Sequence, residues 1–124
     1  MTAYQSGSAK FEGMDAQVLA ISTDGVHCHQ AFIEFVLGQI NFPLASDTTF
    51  AVSRAYGVLR ENDGLAQRAL FIIDPAGVVR YEVVHDLDTG RSVEEVSRVL
   101  QALATDAACG ADWHPGVPGL LATR

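Results

Sequence analysis

Two short apolar runs, residues 17–22 (QVLAIS) and 69–73 (ALFII), constrain the fold of this chain more than any other feature. Each run is bounded by polar residues and is too short for a buried helix, so each predicts a strand inside a sheet. The second run is followed by Asp-Pro-Ala-Gly and then by residues 78–84 (VVRYEVV), which predicts a β-hairpin. Because helical patterns separate the two apolar runs, the sequence predicts an α/β fold.

Four helices are predicted around these strands. Residues 3–13 form the first, and residues 26–37 predict an amphipathic helix whose Phe, Ile, Val and Leu side chains pack on the sheet. Asp47 is placed to cap a short helix. Ser92 and Glu95 have the spacing of a capping box, which predicts the start of a longer final helix.

The composition indicates one small globular domain. The chain has 124 residues, 48% of them hydrophobic, and its net charge of -7 argues against a nucleic-acid surface or an anionic membrane as a partner. No apolar run approaches the ~20 residues of a membrane helix, and the first ten residues do not resemble a secretory signal. The two cysteines have neither CxxC nor zinc spacing. We therefore expect a cytoplasmic protein with reduced thiols and with no metal or other cofactor.

A series of phrases along the chain resembles the peroxiredoxins of the alkyl hydroperoxide reductase and thiol-specific antioxidant type. In order they are AQVLAISTD, FPLASD, SRAYGVL, RALFIIDPAGVVRY, HDLDTGRSVEEV and CGADWHPG. The resemblance implies a thioredoxin-like fold and thiol-dependent reduction of hydrogen peroxide and organic hydroperoxides. In that chemistry a peroxidatic cysteine becomes a sulfenic acid, and a resolving cysteine, usually from the partner subunit, condenses with it. A separate thioredoxin-like dithiol protein then reduces the disulfide.

The resemblance gives roles to three residues of this chain. Cys109 stands shortly before Trp113 in a late, irregular segment and matches the resolving cysteine. Arg68 matches the arginine that holds the peroxidatic thiolate and binds the peroxide oxygens, and Arg91 matches a second arginine near that thiolate. Without the resemblance, Arg68 is a surface residue entering a strand, and Arg91 is a charge that a helix start slightly disfavours.

The peroxidatic cysteine has no counterpart in the 124 residues. In the family it lies in a Thr-x-x-Cys motif at the first turn of a helix, and residues 1–13 resemble the later part of that helix. We therefore expect an N-terminally truncated two-cysteine peroxiredoxin, inactive alone, with an incomplete thioredoxin-like fold. Residues 1–108 are expected to form the partial domain and residues 109–124 the irregular tail.

The absent region would also hold a strand that lies between residues 17–22 and residues 69–73. Unpaired buried backbone groups cost about 1–3 kcal/mol each, so the isolated chain should be marginally stable or associate. Its two apolar strands would either pair with each other or accept a strand from a partner.

Two alternatives remain open on sequence grounds. The first is a non-catalytic interaction module that uses residues 78–84, the edge through which two-cysteine relatives form homodimers. The second is a thiol or metal site at His27, Cys28 and His29, where imidazolium and a helix start would favour a thiolate. Residues two apart on a helix point in different directions, which argues against His27 and His29 as a metal pair. Cys28 is more simply a small half-buried side chain.

Overall fold

The computed structural model describes residues 1–120, in which helices alternate with short strands. The helices are α1 (Thr2–Glu12), α2 (Val26–Phe32), α3 (Ala51–Ala55) and α4 (Val93–Ala104). The strands are β1 (Ala20–Ser22), β2 (Leu44–Ser46), β3 (Leu59–Arg60), β4 (Leu65–Ala66), β5 (Arg68–Ile73) and β6 (Val79–His85). The predicted helices, the two apolar strands and the hairpin are all present.

The six strands pair two by two. β1 runs parallel to β2, β3 is antiparallel to β4, and β5 is antiparallel to β6. Within residues 1–120, β1 and β5, which contain the two apolar runs, do not pair with each other. The prediction that these runs could pair directly is therefore wrong. Each of these two strands therefore has a ladder partner on one edge only.

The hydrogen bonds of β1 show which of its two edges is unpaired within residues 1–120. Ala20 donates to the Pro43 carbonyl, and the Ser22 carbonyl accepts from Asp47. In a parallel ladder alternate residues bond to the same neighbour, so the backbone groups of Ile21 face away from β2. The Ile21 side chain is also 41% exposed, although the sequence predicted a buried strand.

The second helix departs from its predicted extent. α2 ends at Phe32 and passes into a π-helical turn at Ile33–Leu37, closed by a bond from the Gly38 N–H to the Ile33 carbonyl. A π-helical turn bonds residues five apart, so it shifts the following side chains away from an α-helical stripe. Phe35 is consequently 79% exposed and Val36 63% exposed, and their predicted packing on the sheet is wrong.

Asp47 caps α3 as predicted, although the residue at the N-cap position itself is Phe50. Its two carboxylate oxygens accept from the backbone N–H groups of Val52 at 3.1 Å and Ser53 at 2.8 Å. The helix itself begins at Ala51, because Phe50 before it has a left-handed backbone with φ of 63°. The two N–H groups of this first turn are thus satisfied by one buried carboxylate.

The chain divides into two compact units, Met1–Arg91 and the residues from Ser92 onward. In the first unit Phe11 is the most deeply buried large side chain, with 2% exposure, and in the second unit Trp113 is buried. The boundary expected after residue 108 stays a prediction. No helix within residues 1–120 has both the length and the apolar character needed to cross a membrane.

Candidate functional site

Two arginines meet at one end of the β5–β6 hairpin. Arg68 is the first residue of β5, and its Nε donates to the Leu87 carbonyl at 3.0 Å. Arg91 lies beyond β6, and its Nη1 donates to the Ala69 carbonyl at 2.8 Å. Partial burial lowers the pKa of the Arg91 guanidinium, and repulsion from Arg68 lowers it further. The structure therefore brings together the two arginines that the sequence selected.

The first turn of α1 lies beside these arginines. The pKa of the Met1 amine is below its ordinary value because the amine is partly buried and because Arg91 and Arg68 repel its charge. Tyr4, in the same turn, has a raised pKa, mainly because burial disfavours the phenolate. Arg91 opposes this rise and Tyr81 adds to it, so both are close to the Tyr4 hydroxyl. The first residues of α1 and two cations thus share one small region.

Tyr4 is a site residue that sequence reasoning missed. The sequence marked it only as a candidate for burial, and its ring does stack on Phe11, with centroids 6.0 Å apart. Tyr4 Oη and Arg91 Nε are both buried, and neither finds a hydrogen-bond partner within residues 1–120. An unpaired buried group costs about 1–3 kcal/mol. No sequence signal marks such an atom, because its lack of a partner depends on contacts between distant segments.

Cys109 lies in the second unit, on a segment without helix or strand. Its thiol is free and partly exposed. The sulfur lies 3.6 Å from both the Thr105 hydroxyl and the Ala107 carbonyl, distances at which a thiol forms only weak hydrogen bonds. Next to it, Ala108 and Leu120 form an isolated antiparallel bridge. Cys109 is therefore held by weak local contacts only.

The segment that follows Cys109 is anchored to α4 by Arg98. Arg98 Nη1 donates to the Trp113 carbonyl at 2.8 Å, and the indole N–H of Trp113 donates to the Val117 carbonyl at 2.8 Å. The guanidinium also forms a bidentate pair with Glu95, which lowers the pKa of that carboxyl. Only half of the predicted capping box forms, since Ser92 accepts from the Glu95 N–H while the Glu95 side chain binds Arg98.

The alternative site around Cys28 is not assembled. The two ring nitrogens of His29 are within hydrogen-bond distance of the hydroxyls of Ser22 and Ser46, so His29 is buried and engaged. His27 and Cys28 are exposed on α2. Among residues 1–120 there is no group of three or more side chains arranged to hold a metal ion.

A surface cavity of about 420 Å³ lies apart from the arginine pair. It is bordered by the C-terminal half of α1, the residues that follow it, and Asn41 with Phe42. Its lining contains neither arginine of the pair and neither cysteine. Its size alone therefore gives no reason to prefer it to the arginine region as the functional site.

Known proteins similar to this chain are peroxiredoxins. The AhpC/TSA family model matches residues 1–82. YkuU of Bacillus subtilis, assigned as a peroxiredoxin, is 48% identical over 121 residues, which are 94% of this chain and 67% of YkuU. A protein assigned as a peroxiredoxin in the rubredoxin operon of Clostridium pasteurianum is 46% identical and matches 94% of this chain and 68% of its own length.

The solved structures agree with the sequence comparison. The reduced 2-Cys peroxiredoxin of Plasmodium vivax superposes with a TM-score of 0.89 at 29% identity, over 95% of this chain and 65% of that protein. AhpC of Mycobacterium tuberculosis gives a TM-score of 0.82 at 36% identity, over 91% of this chain and 65% of that protein. This chain thus spans about two thirds of the length of these relatives. It belongs to the AhpC/TSA family of peroxiredoxins and has their thioredoxin-like fold in incomplete form.

Proposed function

We propose that this chain takes part in thiol-dependent reduction of hydrogen peroxide and organic hydroperoxides, with Cys109 as the resolving cysteine. The observation that carries the proposal is the position of Arg68 and Arg91 beside the first turn of α1. Cations lower the pKa of a thiol, so a cysteine in this region would be a reactive thiolate. The two arginines would hold that thiolate and the peroxide oxygens.

The reactive sulfur would be supplied by a segment outside these 124 residues. The chain contains only Cys28 and Cys109 and has no Thr-x-x-Cys motif, while about one third of the length of YkuU lies outside the matched span. Cys28 is exposed on α2. Arg68 donates a hydrogen bond to the Leu87 carbonyl and none to Cys28. The 124 residues alone should therefore not turn over peroxide.

The chemistry has two steps before reduction. The peroxidatic thiolate attacks one peroxide oxygen, an S–O bond forms as the O–O bond breaks, and the alkoxide or hydroxide that leaves takes a proton from water, so the products are a sulfenic acid and an alcohol or water. The Cys109 thiolate then attacks the sulfenic sulfur, a disulfide forms, and water is released. A cytoplasmic dithiol protein of the thioredoxin type restores both thiols by exchange.

A cross-linking experiment tests the role of Cys109. The chain is refolded together with a variant of the Plasmodium vivax 2-Cys peroxiredoxin whose resolving cysteine is replaced by serine, and one equivalent of peroxide is added. We expect a disulfide between the two chains on a non-reducing gel, retained in Cys28→Ser and lost in Cys109→Ser. Mixed dimers without this disulfide, or an equal yield with Cys109→Ser, would refute the assignment.

Peroxide consumption by the chain alone tests its inactivity. With excess dithiol reductant, we expect no turnover above the slow direct oxidation of free thiols, because a thiol outside the arginine region lacks the activating charges. Turnover at the rate of an intact peroxiredoxin such as YkuU would contradict this part of the proposal.

A non-catalytic dimerisation module is the second candidate. β6 pairs with β5 along one edge, and no strand within residues 1–120 covers its other edge. Val79 and Val84 on this strand are 45% exposed, so part of its side-chain surface is apolar. Such an edge can pair with its own copy about a two-fold axis.

Light scattering separates this candidate from a monomer. We expect a discrete dimer that is unchanged by Cys109→Ser, since edge pairing needs no disulfide. Val84→Lys should weaken the dimer, because a two-fold axis brings the two added charges near each other. A monomer at high protein concentration would rule out dimerisation through β6.

A further inference from the structure

Tyr4 and Arg91 present polar atoms that the rest of the described chain leaves unsatisfied. Tyr4 Oη and Arg91 Nε are both buried, and no atom of residues 1–120 forms a hydrogen bond with either of them. Buried side-chain polar atoms in native proteins are nearly always paired. Two such exceptions on neighbouring side chains indicate a shared partner that comes from outside these residues.

The two atoms need the same kind of partner. An arginine Nε carries a hydrogen and no lone pair for hydrogen bonding, so it can only donate. The Tyr4 phenol, whose pKa burial raises further, is protonated at neutral pH and can also donate. A single acceptor close to both atoms would satisfy each of them.

The charge of the surroundings shows what kind of acceptor fits. Arg68 is close enough to Arg91 to lower its pKa by repulsion, and neither arginine forms an ion pair with a carboxylate in the described part of the chain. Two cations without a counter-charge in a partly buried region attract an anion. A neutral acceptor would leave both charges uncompensated.

We propose that Tyr4 is a positioning residue whose hydroxyl, together with the Nε–H of Arg91, binds a small singly charged anion next to Arg68. That the natural occupant is the peroxidatic thiolate rests on the proposed function. The existence of an anion site is independent of that function, because it is inferred from the two unpaired donors and the two cations. Tyr4 would fix the position of the anion, and the arginines would supply most of the attraction.

The Tyr4→Phe substitution isolates the hydroxyl. The Tyr4 ring stacks on Phe11, and phenylalanine preserves that stacking while removing only the donor. Tyr81→Phe is the matched control, since Tyr81 is the tyrosine on β6 that is close to Tyr4. Arg91→Lys removes the Nε–H and keeps the positive charge.

Bromide, a soft monoanion, is the probe. The purified chain is titrated with sodium bromide at constant ionic strength, and the Arg91 Nε–H resonance is followed by ¹H–¹⁵N NMR. We expect a saturable shift in the wild type and in Tyr81→Phe. In Tyr4→Phe the dissociation constant should rise about tenfold, the typical effect of losing one hydrogen bond to a charged group. Thermal stabilisation by bromide should be present in the wild type and smaller in Arg91→Lys, which keeps the charge but loses the Nε–H.

Two results would overturn the inference. One is a wild-type resonance that shifts only linearly with bromide, and the other is an unchanged dissociation constant in a folded Tyr4→Phe variant. If either occurs while the Cys109 cross-link forms, the proposed function stands and only the role of Tyr4 is lost. If bromide binding is saturable but the Cys109 cross-link does not form, the anion site stands and the proposed function is lost.

Discussion

At the scale of single residues, one carboxylate replaces the usual helix cap. Asp47 accepts two backbone N–H groups of α3, from Val52 and Ser53, and these bonds lower the pKa of its carboxyl, with the Ser53 N–H contributing most. The ionised form is therefore favoured in the folded chain. The stabilisation is complete above the pKa of an unfolded Asp, about 3.9, and is lost as the pH falls toward the lower folded value.

Replacing Asp47 tests this linkage. Asp47→Ala should lower the Tm at pH 7 by about 3–6 °C, the effect of a lost helix cap in a chain of this size. The difference from the wild type should shrink below about pH 4, where the native carboxyl also becomes protonated. Thermal unfolding followed by circular dichroism measures both effects, with the exposed Asp88→Ala as the charge-matched control. A difference that is constant with pH would contradict the assigned role.

At the scale of elements, α4 holds the segment that carries Cys109. The Arg98 guanidinium joins Glu95 on its own helix to the Trp113 carbonyl, so one side chain couples the helix surface to the irregular chain. Cys109 lies between these anchors, and within residues 1–120 its thiol forms only weak hydrogen bonds. Freeing the Trp113 carbonyl should therefore expose the thiol more often.

Thiol labelling measures the strength of this anchor. In a Cys28→Ser background, Arg98→Ala should raise the rate of Cys109 labelling by a disulfide reagent about three- to tenfold, since a charged donor to a partly buried carbonyl is removed. Arg80→Ala, which removes the same charge from an exposed pair with Asp74, should leave the rate unchanged. Equal rates in the two variants would show that Arg98 does not restrain the tail.

Elements with strong local signals were predictable, and those without them were not. Asp74 and Gly77 bound the β5–β6 turn, and Ser92 marks the start of α4, so the hairpin and the final helix follow from local chemistry. The β3–β4 hairpin was missed because strands of two residues show no periodicity. The π-helical turn in Ile33–Leu37 has no composition of its own, so the exposure of Phe35 could not be foreseen.

The arginine site was predictable only in part. The family resemblance selected Arg68 and Arg91, and the structure places them together. It did not select Tyr4, whose importance depends on an unpaired hydroxyl rather than on a motif. Tertiary contacts decide which polar atoms lack partners, and a single sequence does not contain that information.

At the scale of the whole molecule, the sheet is divided into three pairs of strands. β1 and β5 each lack a neighbour on one edge within residues 1–120, and about one third of the length of YkuU lies outside the matched span. Backbone groups at such edges must bond to water or remain unpaired. The chain should therefore be much less stable than a complete relative.

Thermal unfolding next to YkuU tests this expectation. The Tm of the chain should lie more than about 10 °C below that of YkuU, because several lost backbone hydrogen bonds each cost about 1–3 kcal/mol. Adding the part of YkuU that lies outside the matched span, as a separate polypeptide, should raise the Tm in a concentration-dependent way. Equal stability of the chain and of YkuU would show that the free edges carry no penalty.

The uncovered edges of β1 and β5 also bear on the fate of the polypeptide in a cell. Chaperones and proteases continuously remove chains that spend time unfolded or that expose strand edges to aggregation. A 13.3 kDa species that kept both edges open would have a short half-life and a low steady-state abundance. Its accumulation in cells would mean that another polypeptide segment covers those edges from the time of synthesis.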